Sequence, residues 1–577
     1  MTTKGFRDVL EIARMSRDGM YNLWYKRPPP FVPRPLRLEV AERVNAAGKV
    51  LQDVNLADVQ KAIRIFKQKE VEAIAVCFLH SYTNPKHERE VRKILSEKLP
   101  NIPVSLSFEV AREYREYERT NTTVLDAYIK PLMSKYVSEL NAQLKDRGFR
   151  GKLLISLSAG GVQSALVSAS SPIKAFNSGP AGGVVGMANL AETLNRKDVI
   201  GVDAGGTSFD VSLIVEGRPT IAEQTTVDSY PILVPAIDIR SIGAGGGSIA
   251  WIDPGGHLHV GPQSSSAVPG PMCYGRGGLD PTVTDAALVS GILDPNYFLG
   301  GTVKLRLDLA EQGIDRLANS LALKREEAAA GIMSIATANM AGAVREITVV
   351  QGLDPRDFSM FSFGGATSMF VADFASELGV SSVLVPREPG NFSAWGMLFM
   401  DIVYYYSRTL VTTFENPNID LYSKAFEELE KEGARALAKE NVSIEHRRFE
   451  RFADLRYEWQ SHYLQVRLPL KGISAENIET IKESFHELHE RNYGHRRPAP
   501  IQTVHLRVRA VGILSKPQMP SSSDQQEKAD AAIKGKRDVW VRGRGRIPFT
   551  VYERSKLISG NEILGPAIVE EETSTTL

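Results

Sequence analysis

Val199–Val215 reads VIGVDAGGTSFDVSLIV, and the parsing of this stretch decides the fold. Val199, Ile200 and Val202 are apolar and β-branched, as a buried strand requires. Beyond the glycines, Thr207, Phe209, Val211, Leu213 and Val215 share one face, and Ser208, Asp210 and Ser212 the other. That period of two predicts strand, turn, strand. A Walker-type loop or a dinucleotide fingerprint runs instead from a strand into a helix. The turn holds Gly205 and Gly206, bracketed by Asp203 and Asp210. Glycines let backbone N–H groups approach a phosphate, Thr207 and Ser208 add hydroxyl donors, and two carboxylates suit Mg²⁺, directly or through water. The bland alternative is an ordinary glycine-rich hairpin.

Outward from this stretch lie further glycine turns. Upstream, Asn177–Gly186 is NSGPAGGVVG. Ser178 or Gly179 is placed to cap a helix with Pro180 in its first turn. Gly182, Gly183 and Gly186 suit close packing on a sheet and contact with a ligand equally well. Downstream, IGAGGGS places Gly245, Gly246 and Gly247 in a turn where backbone can touch a ligand. Asp253-Pro254-Gly255-Gly256 is a hairpin turn. The long loop 262–285 ends in LDPTVTDA, where Asp280 and Asp285 are candidate ligands for a metal or ribose; the alternative is that Asp285 caps the next helix. Phe358–Phe363 reads as a strand, Gly364-Gly365-Ala366 as a turn, Ser368–Leu378 as a helix and Ser382–Pro386 as a parallel strand. That unit fits a nucleotide contact at the carboxyl end of a strand.

The rest of the chain alternates helices and strands. Leu56–Glu70, with Val59, Ala62, Ile63 and Phe66 on one face, is an amphipathic helix. Helices are also expected over Lys86–Leu99, Leu323–Ile347, Ile419–Lys439 and Ala475–Asn492. Glu113–Asn121, EYREYERTN, leads into a long helix and reads as a solvated face. Lys26–Arg37 carries five prolines and reads as an extended connector. Residues 515–537 are polar and read as a linker. HELHERNYGH is not H-E-x-x-H, and its histidines read as solvated rather than as zinc ligands.

Composition narrows the function classes. With 69 Lys+Arg against 68 Asp+Glu in 577 residues, nothing points to nucleic acid. Two cysteines exclude a disulfide framework and suit a reducing cytoplasm. No apolar run reaches the ~20 residues of a membrane helix, and MTTKGFRDVL is no signal peptide. A cytoplasmic protein without membrane attachment is expected.

GVDAGGTSFDV, SGPAGGVVG, IGAGGGSIAW, CYGRGG, PTVTDA, FGGA and GPAIVEE, together with TTKGFRDVLEI, CFLHSY and EYERTNTTVLDAYI, resemble the hydantoinase A/5-oxoprolinase family in colinear order across the whole chain. The resemblance implies an α/β, actin-like ATPase (ribonuclease H-like) fold with duplicated subdomains and a C-terminal α+β, β-rich region. It implies the N-terminal half of the ATPase core at 1–197, an ATPase domain with the second phosphate loop and adenosine motif at 198–410, an α+β domain at 411–514, the linker at 515–537 and a β-rich segment at 538–577. It further implies ATP and Mg²⁺ as cofactors, with Asp203 on the metal and Gly205, Gly206, Thr207 and Ser208 on the phosphates. Gly245, Gly246 and Gly247 join the nucleotide site, Gly364, Gly365 and Ala366 line the adenosine, and Asp210 orients water or the metal shell. The implied activity is ATP-dependent opening of a cyclic amide, in a hetero-oligomer with a hydantoinase B-type subunit. Alternatives are the ATP-binding subunit of an acetone- or acetophenone-type carboxylase acting on a small ketone, and a nucleotide-binding scaffold.

The family has a further D-x-G-G-T hairpin upstream of where this sequence starts and additional residues at the C-terminus, so half of the phosphate clamp is expected here. FGGATSMFV departs from the family's FGGAGPLHA: Thr367, Ser368 and Phe370 replace glycine, proline and histidine. Gln502 stands where relatives often have glutamate.

Overall fold

Val199–Ala204 and Phe209–Val215 pair antiparallel in continuous register, so the alternating stretch is a hairpin. The structure, a computed structural model, describes residues 1–14, 21–469, 472–519 and 528–577. The middle of the stretch expected to be a linker, 520–527, lies outside the described residues. Its tail does not: Ile533–Val541 is a strand. The described chain folds as two units. One holds Met1–Ser178, Ile221–Ala236 and Asp401–Ser515; the other holds Gly179–Thr220, Ile237–Met400 and Lys516–Leu577.

In the second unit the hairpin is the spine of a mixed sheet. Val199–Ala204 runs parallel to Ser359–Phe363, which runs parallel to Val383–Leu384. Ile239–Ile242 adds antiparallel to the outer strand, with Ser241 opposite Asp210. The parallel strands are joined by a crossover helix, Val371–Leu378, as parallel pairing demands. Ile200, Val202, Phe209, Val211 and Leu213 are fully buried, against Ile332, Ala336, Met340 and Ile347 of the helix Arg325–Val350. Asn339 on that helix is exposed, and its amide reaches the Val260 carbonyl at 3.3 Å. A four-stranded sheet, Ile533–Val541, Gly545–Glu553, Ala567–Glu570 and Thr575–Thr576, joins the same core through Val539, Phe549, Val551 and Ile568. Each such buried aliphatic or aromatic side chain contributes about 1.5–3 kcal/mol.

The glycines of the helix Ser178–Thr193 are explained by packing. A Cβ on Gly182 would meet the Ser393 carbonyl at 2.5 Å, one on Gly183 the Phe363 ring at 2.6 Å, and one on Gly186 the Gly396 Cα at 2.8 Å.

In the first unit a six-stranded sheet has the order Leu464–Arg467, Arg447–Tyr457, Ile501–Gly512, Ile402–Thr413, Val162–Ser164, Leu154–Ser156. The helices Ile419–Lys439 and Ile478–Tyr493 bury Tyr422, Phe426, Leu429 and Phe485 in its core. An N-terminal layer packs the helices Leu56–Gln68 and Lys86–Lys98 with the parallel pair Ile74–Val76 and Val104–Leu106.

Two expectations are corrected in this unit. EYREYERTN is not a solvated face: Glu113, Glu118, Arg119 and Asn121 are buried. Arg119 donates to the Phe78 carbonyl and the Ser81 hydroxyl, and Glu118 accepts from Arg14. Polar side chains go inside when their hydrogen bonds are met there. The histidines likewise are not all solvated. His489 is 1% exposed, its Nδ1 against the His495 carbonyl at 2.8 Å, and His486 Nδ1 meets the Tyr457 hydroxyl at 2.7 Å. Among the described residues no three His, Cys, Asp or Glu side chains are placed to hold a metal ion.

The most charged interior lies here too. Arg507 Nη1 sits 2.6 Å from Glu113 and 2.9 Å from Glu223, and its Nη2 2.8 Å from Asp454. No described helix is long and apolar enough to cross a membrane.

Candidate nucleotide site

The tip of the hairpin is exposed at Gly205, Gly206 and Thr207, between the partly buried Asp203 and Asp210. The Gly205 N–H closes the turn onto the Ser208 carbonyl at 3.3 Å. The N–H groups of Gly206, Thr207 and Ser208 make no hydrogen bond among the described residues. Three free donors on one exposed turn are what an anion-binding backbone requires. Asp203 and Asp210 are register partners, so their side chains leave the same face of the hairpin. Burial, and then the neighbouring Asp210, push the Asp203 carboxyl up to about 6, against the Ser393 hydroxyl that donates to it at 3.4 Å. Burial also raises Asp210, opposed by Ser241. Two carboxylates that repel each other and are partly stripped of water suit a divalent cation, which relieves both costs.

The second glycine turn has a different use from ligand contact through its N–H groups. Gly246 and Gly247 donate to the carbonyls of Gly205 and Gly206 at 3.0 and 2.6 Å, and Gly245 donates to the Ser248 hydroxyl at 2.8 Å. A Cβ on Gly245 would meet the Gly205 oxygen and the Thr207 nitrogen at 2.9 Å. Gly245–Gly247 therefore buttresses the first turn from behind, and Gly246 also reaches the pocket wall.

The third turn closes the other side. Gly364 has φ +83°, and a Cβ there would lie 2.2 Å from the Asp203 carboxylate, so only glycine fits. Ala366 donates to the Ala204 carbonyl at 2.8 Å, and Gly365 stays exposed. Thr367, one of the departures from the family pattern, is a structural clip. Its hydroxyl accepts from the Ala204 N–H and donates to the Phe363 carbonyl at 2.5 Å, tying the two parallel strands together where they end. Phe370 is 1% exposed and packs in the core; Ser368 is also buried.

A pocket opens between these turns. Gly205, Gly206, Gly246, Gly365 and Ala366 line it, and Tyr274, Leu293, Phe298 and Met369 supply apolar surface. The turn Glu571–Thr575, more than two hundred residues away in sequence, also lines it, with the Thr573 carbonyl 3.3 Å from where a Cβ on Gly365 would sit. Asp280 and Asp285 do not join it. Asp280 is exposed, and Asp285 is buried as the N3 residue of a capping box with Thr282. Its carboxylate accepts from the N–H groups of Thr282, Met272 and Cys273 and from the Thr282 hydroxyl. Sequence patterns missed Ser393, the Thr367 clip and the C-terminal wall. Of these only GPAIVEE carried a signal, as a family motif without an assigned place.

Comparison with known proteins agrees with this architecture. The hydantoinase/oxoprolinase family model matches residues 119–405, its N-terminal region 1–99 and its C-terminal domain 417–577. An uncharacterized protein of Methanocaldococcus jannaschii is 37% identical over the whole chain and 84% of its own length. The caprolactamase subunit alpha of Pseudomonas jessenii is 33% identical over the whole chain and 84% of its length. The acetophenone carboxylase gamma subunit of Aromatoleum aromaticum is 32% identical over the whole chain and 82% of its length. The crystal structure of the ATP-dependent caprolactamase from Pseudomonas jessenii superposes with a TM-score of 0.90 at 32% identity, and nucleotide-free acetone carboxylase with 0.80 at 28%. Both cover the whole chain and 84% of the matched chain. The chain belongs to the hydantoinase/oxoprolinase family, with a mixed α/β fold.

Proposed function

We propose that this chain is the ATP-binding subunit of an enzyme that opens a cyclic amide, built on an actin-like ATPase fold. The observation that carries the reading is the exposed turn of three free N–H groups beside the register-paired Asp203 and Asp210. The ATP-dependent caprolactamase, alike over the whole chain, supports the substrate class. The sequence-based division at residues 197, 410, 514 and 537 is part of the same proposal, as is a cytoplasmic location. So is a hydantoinase B-type partner; relatives named as subunits alpha and gamma support a hetero-oligomer.

An unstrained amide resists water. Transfer of the ATP γ-phosphoryl group to its oxygen, with ADP leaving and the N–H proton lost, gives an imidate phosphate. Its carbon takes up water so that the C–N bond breaks, and the acyl phosphate formed is hydrolysed to carboxylate and phosphate. The protein's task in such a transfer is positioning and charge neutralisation. Gly206, Thr207 and Ser208 donate to the transferring phosphates, and Gly205 shapes the turn. Asp203 would hold Mg²⁺, with Asp210 beside it as a water-orienting carboxylate. Bound Mg²⁺ supplies neutralisation of the phosphate charge. Gly364, Gly365 and Ala366 form the floor beneath the nucleoside, and Gly245–Gly247 keeps the phosphate turn in shape.

A carboxylase subunit is the rival reading, favoured by the acetophenone carboxylase relative at nearly equal identity. The deciding experiment is ATP hydrolysis by the chain with its partner subunit, screened against lactams, 5-oxoproline, hydantoins and small ketones. Lactam- or imide-stimulated turnover that vanishes in Asp203→Ala is expected. Stimulation by ketone with bicarbonate alone supports the rival, and no turnover with any substrate while ATP still binds leaves a scaffold.

A further inference from the structure

We propose that Glu572 reads the ribose of the bound nucleotide, so that this pocket selects ribonucleotides through a residue near the C-terminus; the inference rests on the nucleotide reading above. The pocket is polarised. Its glycine end offers backbone donors, and its Tyr274, Leu293, Phe298 and Met369 side offers apolar surface. A nucleotide placed with its phosphates on the turn therefore puts its base against the apolar side and its sugar between, under the turn Glu571–Thr575.

Four acidic side chains line the pocket, and three are already engaged. Asp294 accepts from the Asn296 N–H and from Arg537. Glu570 is held by Lys534 and Arg537, both at 2.6 Å. Glu571 accepts from the Glu388 N–H at 3.2 Å and the Ser574 hydroxyl at 3.3 Å, which braces the turn. Glu572 alone makes no hydrogen bond or ion pair among the described residues. It is exposed, and its stem lies over Gly300, where a Cβ would meet its Cγ at 2.8 Å. Its carboxylate carbon and Oε1 lie 3.3 and 3.4 Å from the same point, and Glu572 and Leu299 both line the pocket.

An ionised carboxylate only accepts hydrogen bonds. The vicinal hydroxyls of a ribose are the donor pair that satisfies its two oxygens, as carboxylates do in other nucleotide folds. The exposed position matches a sugar at the mouth of the pocket better than a base packed against Phe298 and Met369.

The test is calorimetric binding of ATP and 2′,3′-dideoxy-ATP, with Mg²⁺, to the full chain and to Glu572→Ala and Glu572→Gln. Since Glu572 is exposed, both variants should melt with the wild type. Wild-type protein should bind ATP at least about tenfold more tightly than the dideoxy analogue, the effect of one lost hydrogen bond to a charged group. Glu572→Ala should bind both at the weaker level, and Glu572→Gln should fall between. Tight ATP binding with no preference in the wild type, or a preference that survives Glu572→Ala, overturns the inference and leaves the nucleotide reading standing. No binding of either nucleotide to the wild type overturns both.

Discussion

Asp203 and Asp210 face each other as register partners across the hairpin, seven residues apart in sequence and on the same side of the sheet. The turn between them exists to bring two carboxylates and three free N–H groups to one place. The consequences for pH follow from that proximity.

Burial and the adjacent Asp210 raise the Asp203 carboxyl to about 6. A raised carboxyl favours the protonated folded protein, so its stability contribution is full below the ordinary carboxylate range. It is lost as pH rises through about 6. Asp203→Asn should therefore be more stable than the wild type at pH 8, by roughly 2–3 kcal/mol, with the gap closing by pH 4. The same variant should lose ATP hydrolysis at every pH, while wild-type turnover falls off below about pH 6. Urea midpoints at pH 4, 6 and 8 measure the first effect; an unchanged or lower midpoint at pH 8 sinks it.

Thr367 clips two strands at the pocket floor. Thr367→Val keeps the shape but strands the buried Ala204 N–H, which costs roughly 1–3 kcal/mol. Thr367→Ser should restore most of it. Thermal unfolding of the three proteins separates hydrogen bonding from packing, and a larger loss in Thr367→Ser than in Thr367→Val would show that the methyl group matters more.

Asp285 holds four donors and none of them belongs to a ligand. Asp285→Ala should destabilise the protein by roughly 2–4 kcal/mol, the loss of a cap together with buried N–H groups left unpaired. Nucleotide affinity of the folded fraction should stay within about twofold, a few tenths of a kcal/mol. A large drop in Mg²⁺ or ATP affinity without loss of stability would return Asp285 to the list of ligands.

Arg507 sits among three buried carboxyl groups. Burial opposes ionisation of Glu113, yet Arg507 and His505 outweigh it and hold that carboxyl at about 2. Burial prevails at Asp454, pushed up to about 7 despite Arg507. His505, buried, is lowered to about 3 and stays neutral. Arg507→Met should cost about 3–5 kcal/mol at neutral pH. Without the guanidinium all three carboxyls rise, so the deficit should grow from pH 5 to pH 8 as they are forced to ionise. Denaturation midpoints across that range check it, and a constant deficit would mean the arginine acts through packing alone.

Much of the second unit was legible from local pattern. The alternation over Val199–Val215, the strand–GGA–helix unit and the amphipathic helices each follow from a period of 2 or 3.6 that burial on one face enforces. Patterns failed where polar groups went inside. Glu113, Glu118 and Arg119 read as solvated because charge normally is, and their partners Arg507, Arg14 and Phe78 lie far away in sequence. Asp285 stayed ambiguous because the same residue caps helices and binds metals, and only its four donors decide.

The sequence by itself determined the hairpin, its glycine tip, its flanking aspartates and the family, because each is written in neighbouring residues or in colinear motifs. Tertiary structure decided what those residues do for one another. It set the Gly245–Gly247 turn behind the first one, since the Gly246 and Gly247 N–H groups meet the Gly205 and Gly206 carbonyls while Gly246 also lines the pocket. It made Thr367 a clip, and it carried Glu570–Thr575 back to wall the pocket. Hydrogen-bond partners and pocket walls are relations between distant segments, and a local period carries no record of them.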